Sequence, residues 1–124
     1  PELTENSSIG SIVGRFLEHT RIYIFGAHDN CKGYIASADW MTRNTRRRVE
    51  VAAPIYDDSI KHRILDMFDV MMTDNVKARV QQPDSTYTRE PAKEPLVNSQ
   101  EYFYEQAYQA LAQAEAETAE TAKN

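Results

Sequence analysis

The chain holds a single cysteine, Cys31. No disulfide can form within it, and one thiol fits a reducing compartment, most simply the cytoplasm. Long apolar runs are missing as well. No stretch approaches the roughly 18 residues that a membrane-spanning helix needs, so no transmembrane segment is expected. The opening PELTENSSIG has neither the basic patch nor the apolar run of a signal peptide. An initiator methionine is also absent, from which we expect a piece excised from something longer. Positive charge is in deficit: 14 Lys and Arg against 19 Asp and Glu leave a net charge of −5. That balance argues against a dedicated nucleic-acid binder. With three scattered histidines and one cysteine, no metal-ligand spacing is present. Neither a phosphate-cradling P-loop nor a dinucleotide fingerprint occurs.

What is present is ordinary in bulk and uneven in detail. At 124 residues, 41% hydrophobic and 27% charged, the composition suits one soluble domain with a real core and is too short for two. Residues 43–48 hold four arginines, whereas the last two dozen residues carry five glutamates and one lysine. Local fields therefore matter more than the sum.

Periodicity supplies the elements. Ile9, Ile12, Val13, Phe16 and Leu17 fall at i, i+3, i+4, i+7 and i+8, which predicts a short amphipathic helix capped by Ser7 or Ser8. Ile22-Tyr23-Ile24-Phe25 predicts a strand, Gly26 to Gly33 a loop, and Tyr34 to Ala38 a second strand paired with the first. Asp39 to Arg46 reads as a turn or one helical turn, and Val49 to Ile55 as a third strand closed by Pro54. Asp57 or Asp58 should cap the best helix, whose stripe is Ile60, Ile64, Leu65, Phe68, Met71 and Met72 and which ends by Asp74. Alternation from Val76 to Val80 predicts an edge or half-exposed strand, and Tyr87-Thr88 a short extended piece in a loop. Residues 99–119 read as a helix with a thin seam of Tyr104, Tyr108 and Leu111, then a fraying acidic end. The pattern is that of an α/β or α+β layer fold.

Two polar groups sit at the ends of the two hairpin strands. His19-Thr20-Arg21 precedes the first strand, and residues two apart in extended chain share a face. A histidine beside a guanidinium fork would suit an anionic phosphate, with His19 acting as acid or base or binding a phosphoryl oxygen. His19 also reads simply as a surface histidine next to Glu18. Ser37-Ala38-Asp39-Trp40 with Arg43 and Asn44 closes the second strand. Ser, Asp and Asn could orient a ligand and Trp40 could stack on a base. Equally, Trp40 could fill the core while Asp39 caps a turn. Arg43, Arg46, Arg47 and Arg48 are either a solvated face or a polyanion site. His28 has no evident partner, and His62 lies on the exposed side of the long helix.

Three blocks, SIVGRFLEHTRIYIF, YIASADWMTRNTRRRVEVAAPI and DDSIKHRILDMFDVMMTDNVKA, resemble the last domain of bacterial polyphosphate kinases over roughly residues 3–90. The resemblance implies the C-terminal part of a phospholipase-D-like α/β domain, a mixed sheet flanked by helices, within residues 1–98. Residues 99–124 would be a helical, acidic tail. His-x-Arg and SADW look like degenerate forms of that superfamily's His-x-Lys and Gly-Ser-x-Asn elements. The family moves the terminal phosphate of ATP reversibly onto polyphosphate, through a phosphohistidine and with Mg2+. The phosphorylated histidine belongs to a sister domain, and no segment here matches it. His19 matches the second histidine of the family site, which contacts nucleotide phosphates and assists transfer as an acid or charge stabiliser. With Arg21 it would bind ATP or ADP phosphates. Ser37, Asp39, Arg43, Asn44 and Arg46 would form the site wall or touch polyphosphate.

An upstream arginine of the family site and the Mg2+ ligands are expected outside this chain. The implied partners are ATP, polyphosphate, the remainder of the same polypeptide and further copies in a homo-oligomer, with no nucleic acid. The implied location is cytoplasmic, with association to a membrane as part of a complex left open. The fragment alone is expected to be inactive. A non-catalytic polyanion-binding or assembly module is the competing reading. Phosphodiester hydrolysis is weaker, because fold does not fix function and the superfamily's lysine is an arginine here.

Overall fold

A computed structural model describes residues 6–26, 30–89 and 91–121. In chain order its elements are strands β1 (Gly10–Ile12), β2 (Ile22–Phe25) and β3 (Lys32–Ala36), helix α1 (Thr42–Arg47), strand β4 (Ala52–Pro54), helix α2 (Asp58–Met72), strands β5 (Ala78–Gln81) and β6 (Tyr87–Thr88), and helix α3 (Ser99–Thr121). The strands form two three-stranded sheets, β2-β3-β4 and β1-β5-β6. All described strand pairs are antiparallel. The α/β class expected from the sequence therefore holds, built from two small sheets. The chain divides into two units, one of residues 17–68 and one of residues 1–16 with 69–124.

Within the 17–68 unit, β2 and β3 make the expected hairpin, with Ile22 opposite Ile35 and Tyr23 opposite Tyr34. Alternation then sorts the side chains. Ile22, Ile24 and Ile35 share one face; Tyr23, Phe25, Tyr34 and Ala36 share the other, with Phe25 and Tyr34 edge to face at 5.9 Å. Gly26 follows the first strand at φ +92°, a left-handed turn that a side chain would strain. His28 and Asp29 of that loop lie outside the described residues. Strand β4 adds to the far edge of β3, Ala53 opposite Ile35, shorter than the 49–55 segment expected. Helix α2 starts where the capping residues predict: the Asp57 carboxylate accepts from the Ile60 N–H at 3.0 Å and the Ser59 hydroxyl at 2.6 Å. Lys61 pairs with Asp58 at 2.9 Å, and the exposed His62 ring donates Nδ1–H to the Asp58 carbonyl at 2.6 Å.

In the other unit, one expectation fails. No helix forms over residues 9–17. Instead β1 pairs with β5, Gly10 opposite Val80 and Ile12 opposite Ala78. Gly10 and Gly14 each weaken a helix by about 1 kcal/mol relative to alanine, and Ile9, Ile12 and Val13 are stiff β-branched residues. The apolar spacing is helical, and pairing with β5 overrides it. As a result β5 is the central strand of its sheet, with β6 on its other side, so of the edge or half-exposed strand expected it is the half-exposed one. A buried polar knot joins the start of β5 to the start of α3. Asp74 Oδ1 accepts from the amides of Val76, Lys77 and Ala78 at 3.1, 2.7 and 3.1 Å, while Oδ2 accepts from the Ser99 amide and hydroxyl, both at 2.8 Å. Next door, the Gln100 amide clamps the Phe16 backbone, accepting from its N–H at 3.0 Å and donating to its carbonyl at 2.8 Å. A methyl at Gly14 would fall 2.1 Å from Gln100 Oε1, so any side chain there would have to displace the Gln100 amide from its bonds to Phe16.

The real core expected from length and composition is not assembled by these residues on their own. Among the described residues Cys31 is the one buried apolar side chain, while Val49, Leu17 and Trp40 stand 98%, 89% and 83% exposed. No helix among them is long and apolar enough to cross a membrane.

Candidate functional site

The hairpin brings the two polar groups together. In an antiparallel pair, the start of the first strand lies beside the end of the second. Here the carbonyl of Arg21, one step before the first residue of β2, accepts from the Ala36 amide at 3.1 Å. Arg21 thus stands opposite the chain that leaves β3, and three residues further along is Asp39.

Their side chains meet fork to fork. Arg21 Nε donates to Asp39 Oδ1 at 2.5 Å and Nη2 donates to Oδ2 at 3.2 Å. The remaining edge of the guanidinium points at His19, Nη1 to Nε2, at 3.0 Å. Arginine has only donors, so this contact is a hydrogen bond in the ring tautomer that leaves Nε2 free to accept. Glu18 is not the partner of His19; its carboxylate takes the Thr20 hydroxyl at 2.5 Å. Arg21 is largely covered, with 19% of its side chain exposed, Asp39 is half-buried and His19 is exposed.

Electrostatics follow from the contacts. The hydrogen bonds from Arg21 hold the Asp39 carboxyl below the usual carboxylate range against a smaller opposing effect of burial, and the charges of Arg21, His19 and Arg43 push the same way. Reciprocally, the hydrogen bond to Asp39 raises Arg21 further above neutrality. The cluster therefore carries a fixed cation whose outer edge, with the imidazole, is open to solvent.

Asp39 is itself held. Its carbonyl accepts from the Met41 amide at 2.7 Å and from Asn44 Nδ2 at 3.4 Å, and the preceding Ala38 carbonyl accepts from the Tyr23 hydroxyl at 2.8 Å. Asn44 is buried in α1, and its Oδ1 has no protein donor among the described residues. Asn44 thus stands behind the cluster and does not face outward. Ser37 turns elsewhere: its hydroxyl bonds the Glu50 carboxylate and accepts from the Val51 amide at 3.1 Å, joining the exits of β3 and the entry to β4. Arg43 is exposed near Asp39, and Arg46 is exposed in the last turn of α1, where a cation also complements the helix dipole. Trp40 fills no core here; it lies exposed, tilted on Tyr23 at 6.1 Å. Beside the cluster, Tyr23, Phe25, Tyr34, Ala36, Ala38 and Ala52 line an open apolar trough of about 390 Å3.

Of the residues singled out in the sequence, His19, Arg21 and Asp39 are in contact, Arg43 and Asn44 adjoin them, and Ser37 bonds away from them. The Arg21–Asp39 pair was not read from the sequence as a pair. The hairpin register carried the signal, since it sets position 21 against position 36 and the acid just beyond. Glu50, the partner of Ser37, had no local signal at all.

The chain can now be set against known proteins. The family described as polyphosphate kinase C-terminal domain 2 matches residues 1–100. Polyphosphate kinase of Lactiplantibacillus plantarum is 42% identical over 110 residues, covering 88% of this chain and 15% of the relative. That of Burkholderia ambifaria is 48% identical over 101 residues, covering 81% and 15%, and that of Escherichia coli K12 is 49% identical over 77 residues, covering 62% and 11%. Among solved structures, polyphosphate kinase from Porphyromonas gingivalis superposes with a TM-score of 0.75 at 29% identity, over 83% of this chain and 16% of that one. This chain spans about 15% of the length of the curated relatives it matches. The superposition gives the fold as the phospholipase-D-like α/β type implied by the sequence. Alike in sequence over residues 1–100 and in backbone over most of its length, the chain belongs to the polyphosphate kinase C-terminal domain family.

Proposed function

We propose that this chain is the C-terminal portion of a polyphosphate kinase, contributing His19 and Arg21 to a site that transfers the terminal phosphate of ATP reversibly to polyphosphate. The observation that carries the proposal is the His19–Arg21–Asp39 cluster, a paired guanidinium and an exposed imidazole on one edge of a hairpin. Such a pair fits phosphate oxygens: the guanidinium offers directed donors and fixed charge, and the imidazole can accept or deliver a proton as charge moves to the leaving oxygen. The phosphoryl group itself would be carried by a histidine of a sister domain outside this chain. His19 then acts as acid or charge stabiliser, and Arg43 and Arg46 flank the path of polyphosphate. Residues 1–98 form part of the phospholipase-D-like domain in this reading, and 99–124 form an acidic helical tail.

Magnesium fits the reaction but not these residues. Among the described residues no three His, Cys, Asp or Glu side chains gather to hold a metal ion, and the carboxylate nearest the cluster is committed to Arg21. In this reading its ligands lie outside this chain. The exposed Leu17, Trp40 and Val49 and the apolar trough favour coverage by the remainder of the same polypeptide, in a cytoplasmic homo-oligomer.

An assay of ATP-dependent phosphate transfer decides the central point. The full polypeptide should turn over, and the 124-residue chain alone should not. Robust turnover by the short chain would refute the half-site reading. A second reading, a non-catalytic polyanion module, draws on the exposed arginines at 43 and 46–48. It requires binding that weakens steeply with salt and does not discriminate ATP from other polyanions.

A further inference from the structure

We infer that Asp39 is a positioning residue for Arg21, and not a contact for nucleotide or polyphosphate. The inference rests on the reading of His19 and Arg21 as phosphate ligands and assigns a task to the acid between them.

Charge argues first. Asp39 is ionised and accepts only, so against a phosphate oxygen it would set anion against anion. Occupancy argues next, because each carboxylate oxygen already receives one Arg21 donor, at 2.5 and 3.2 Å. Geometry supplies the function. A guanidinium gripped on Nε and Nη2 has its plane fixed, and the Nη1 edge left over is the one that reaches His19 at 3.0 Å. Unpaired, the long Arg21 side chain would sample several rotamers, and a ligand would have to order it. The grip is anchored in turn. Asn44, buried in α1, donates to the Asp39 carbonyl, and the Tyr23 hydroxyl holds the carbonyl just before it. Position therefore passes from the hairpin and α1, through Asp39, to the guanidinium and the imidazole. A carboxylate beside a phosphate site here strengthens anion binding by aiming the cation.

The test uses the full-length polypeptide carrying this segment, with kcat and KM for ATP measured in Arg21→Ala, Asp39→Asn and the double variant. Arg21→Ala should lower kcat about 100-fold and Asp39→Asn about 10-fold or more, and the double variant should match Arg21→Ala within about threefold. Added guanidinium, at concentrations too low to denature, should restore Arg21→Ala by about fivefold or more and leave the double variant unchanged, because rescue needs the carboxylate. A purely structural aspartate would not distinguish those two backgrounds. Full activity of Asp39→Asn, multiplicative losses, or equal rescue of both variants would overturn the inference while leaving the site reading intact. Full activity of Arg21→Ala would remove the site reading itself. Should Asp39→Asn not fold, Arg21→Lys decides. It keeps the charge but cannot grip the carboxylate at two points, so it should fall nearly as far as Arg21→Ala, and wild-type kcat would refute the grip.

Discussion

Asp39 and Asp74 are both carboxylates held below their usual range, one in each unit, and their surroundings give them opposite uses. Around Asp74 the largest influence is burial, which pushes its carboxyl up. Hydrogen bonds from the Lys77 amide, the Ser99 amide and hydroxyl and the Ala78 amide outweigh that push. Every donor it takes comes from backbone or from Ser99, and the knot is closed to solvent. Around Asp39 the largest influence is the hydrogen bonding of Arg21. It takes a single cation whose other edge meets an exposed histidine. A polar cluster satisfied on all sides holds a fold together. A cluster that orients donors and leaves an edge open can hold a ligand.

The comparison breaks most visibly at His19. In the full polypeptide, His19→Ala should cut turnover by on the order of a thousandfold while thermal stability stays within a degree or two, as for loss of a transition-state donor or acid. Melting with intact specific activity would make the histidine structural.

Asp74→Ala should do the reverse. It strands buried amide donors, so protection of the Val76, Lys77, Ala78 and Ser99 amides against hydrogen exchange should fall by about 3 kcal/mol. Turnover per folded molecule should be little changed. Because the folded Asp74 carboxyl titrates below its unfolded value, this protection is fully present above the ordinary aspartate range near pH 4 and fades as the pH falls through the lower folded value. Protection that instead grew with acid would contradict the hydrogen bonding described.

The smallest effect belongs to Gly14. Alanine there would displace the Gln100 amide and cost both of its bonds to Phe16, about 1–2 kcal/mol, read as faster exchange of the Phe16 amide. Gln100→Ala should produce the same change, and the pair together no more. Additive losses would show that the two residues act separately.

How legible each region was follows from the range of the contacts involved. The β2–β3 hairpin, α2 with its Asp57 cap, β6 and α3 could be read from periodicity and turn residues, because each is stabilised by neighbours close in sequence. The segment 9–17 carries helical apolar spacing and yet forms a strand, because its partner, β5, lies nearly 70 positions away and leaves no local mark. At the site, residue types drew attention to His19, Arg21 and Asp39 separately. Their connection, and the departure of Ser37 toward Glu50, depended on strand register.

By itself, then, the sequence determined the strong local elements, the family through its LEH-x-R and SADWMTRN blocks, and the chemical types available at the hairpin's ends. Only the tertiary structure decided that Asp39 grips Arg21, that the free edge of Arg21 reaches Nε2 of His19, and that Gly14 makes room for a side chain 86 positions further on. Side-chain pattern encodes what a residue prefers within a few positions. Which distant donor meets which acceptor is set by the pairing that closes the chain, and pairing energy is shared among residues that carry no local mark of it.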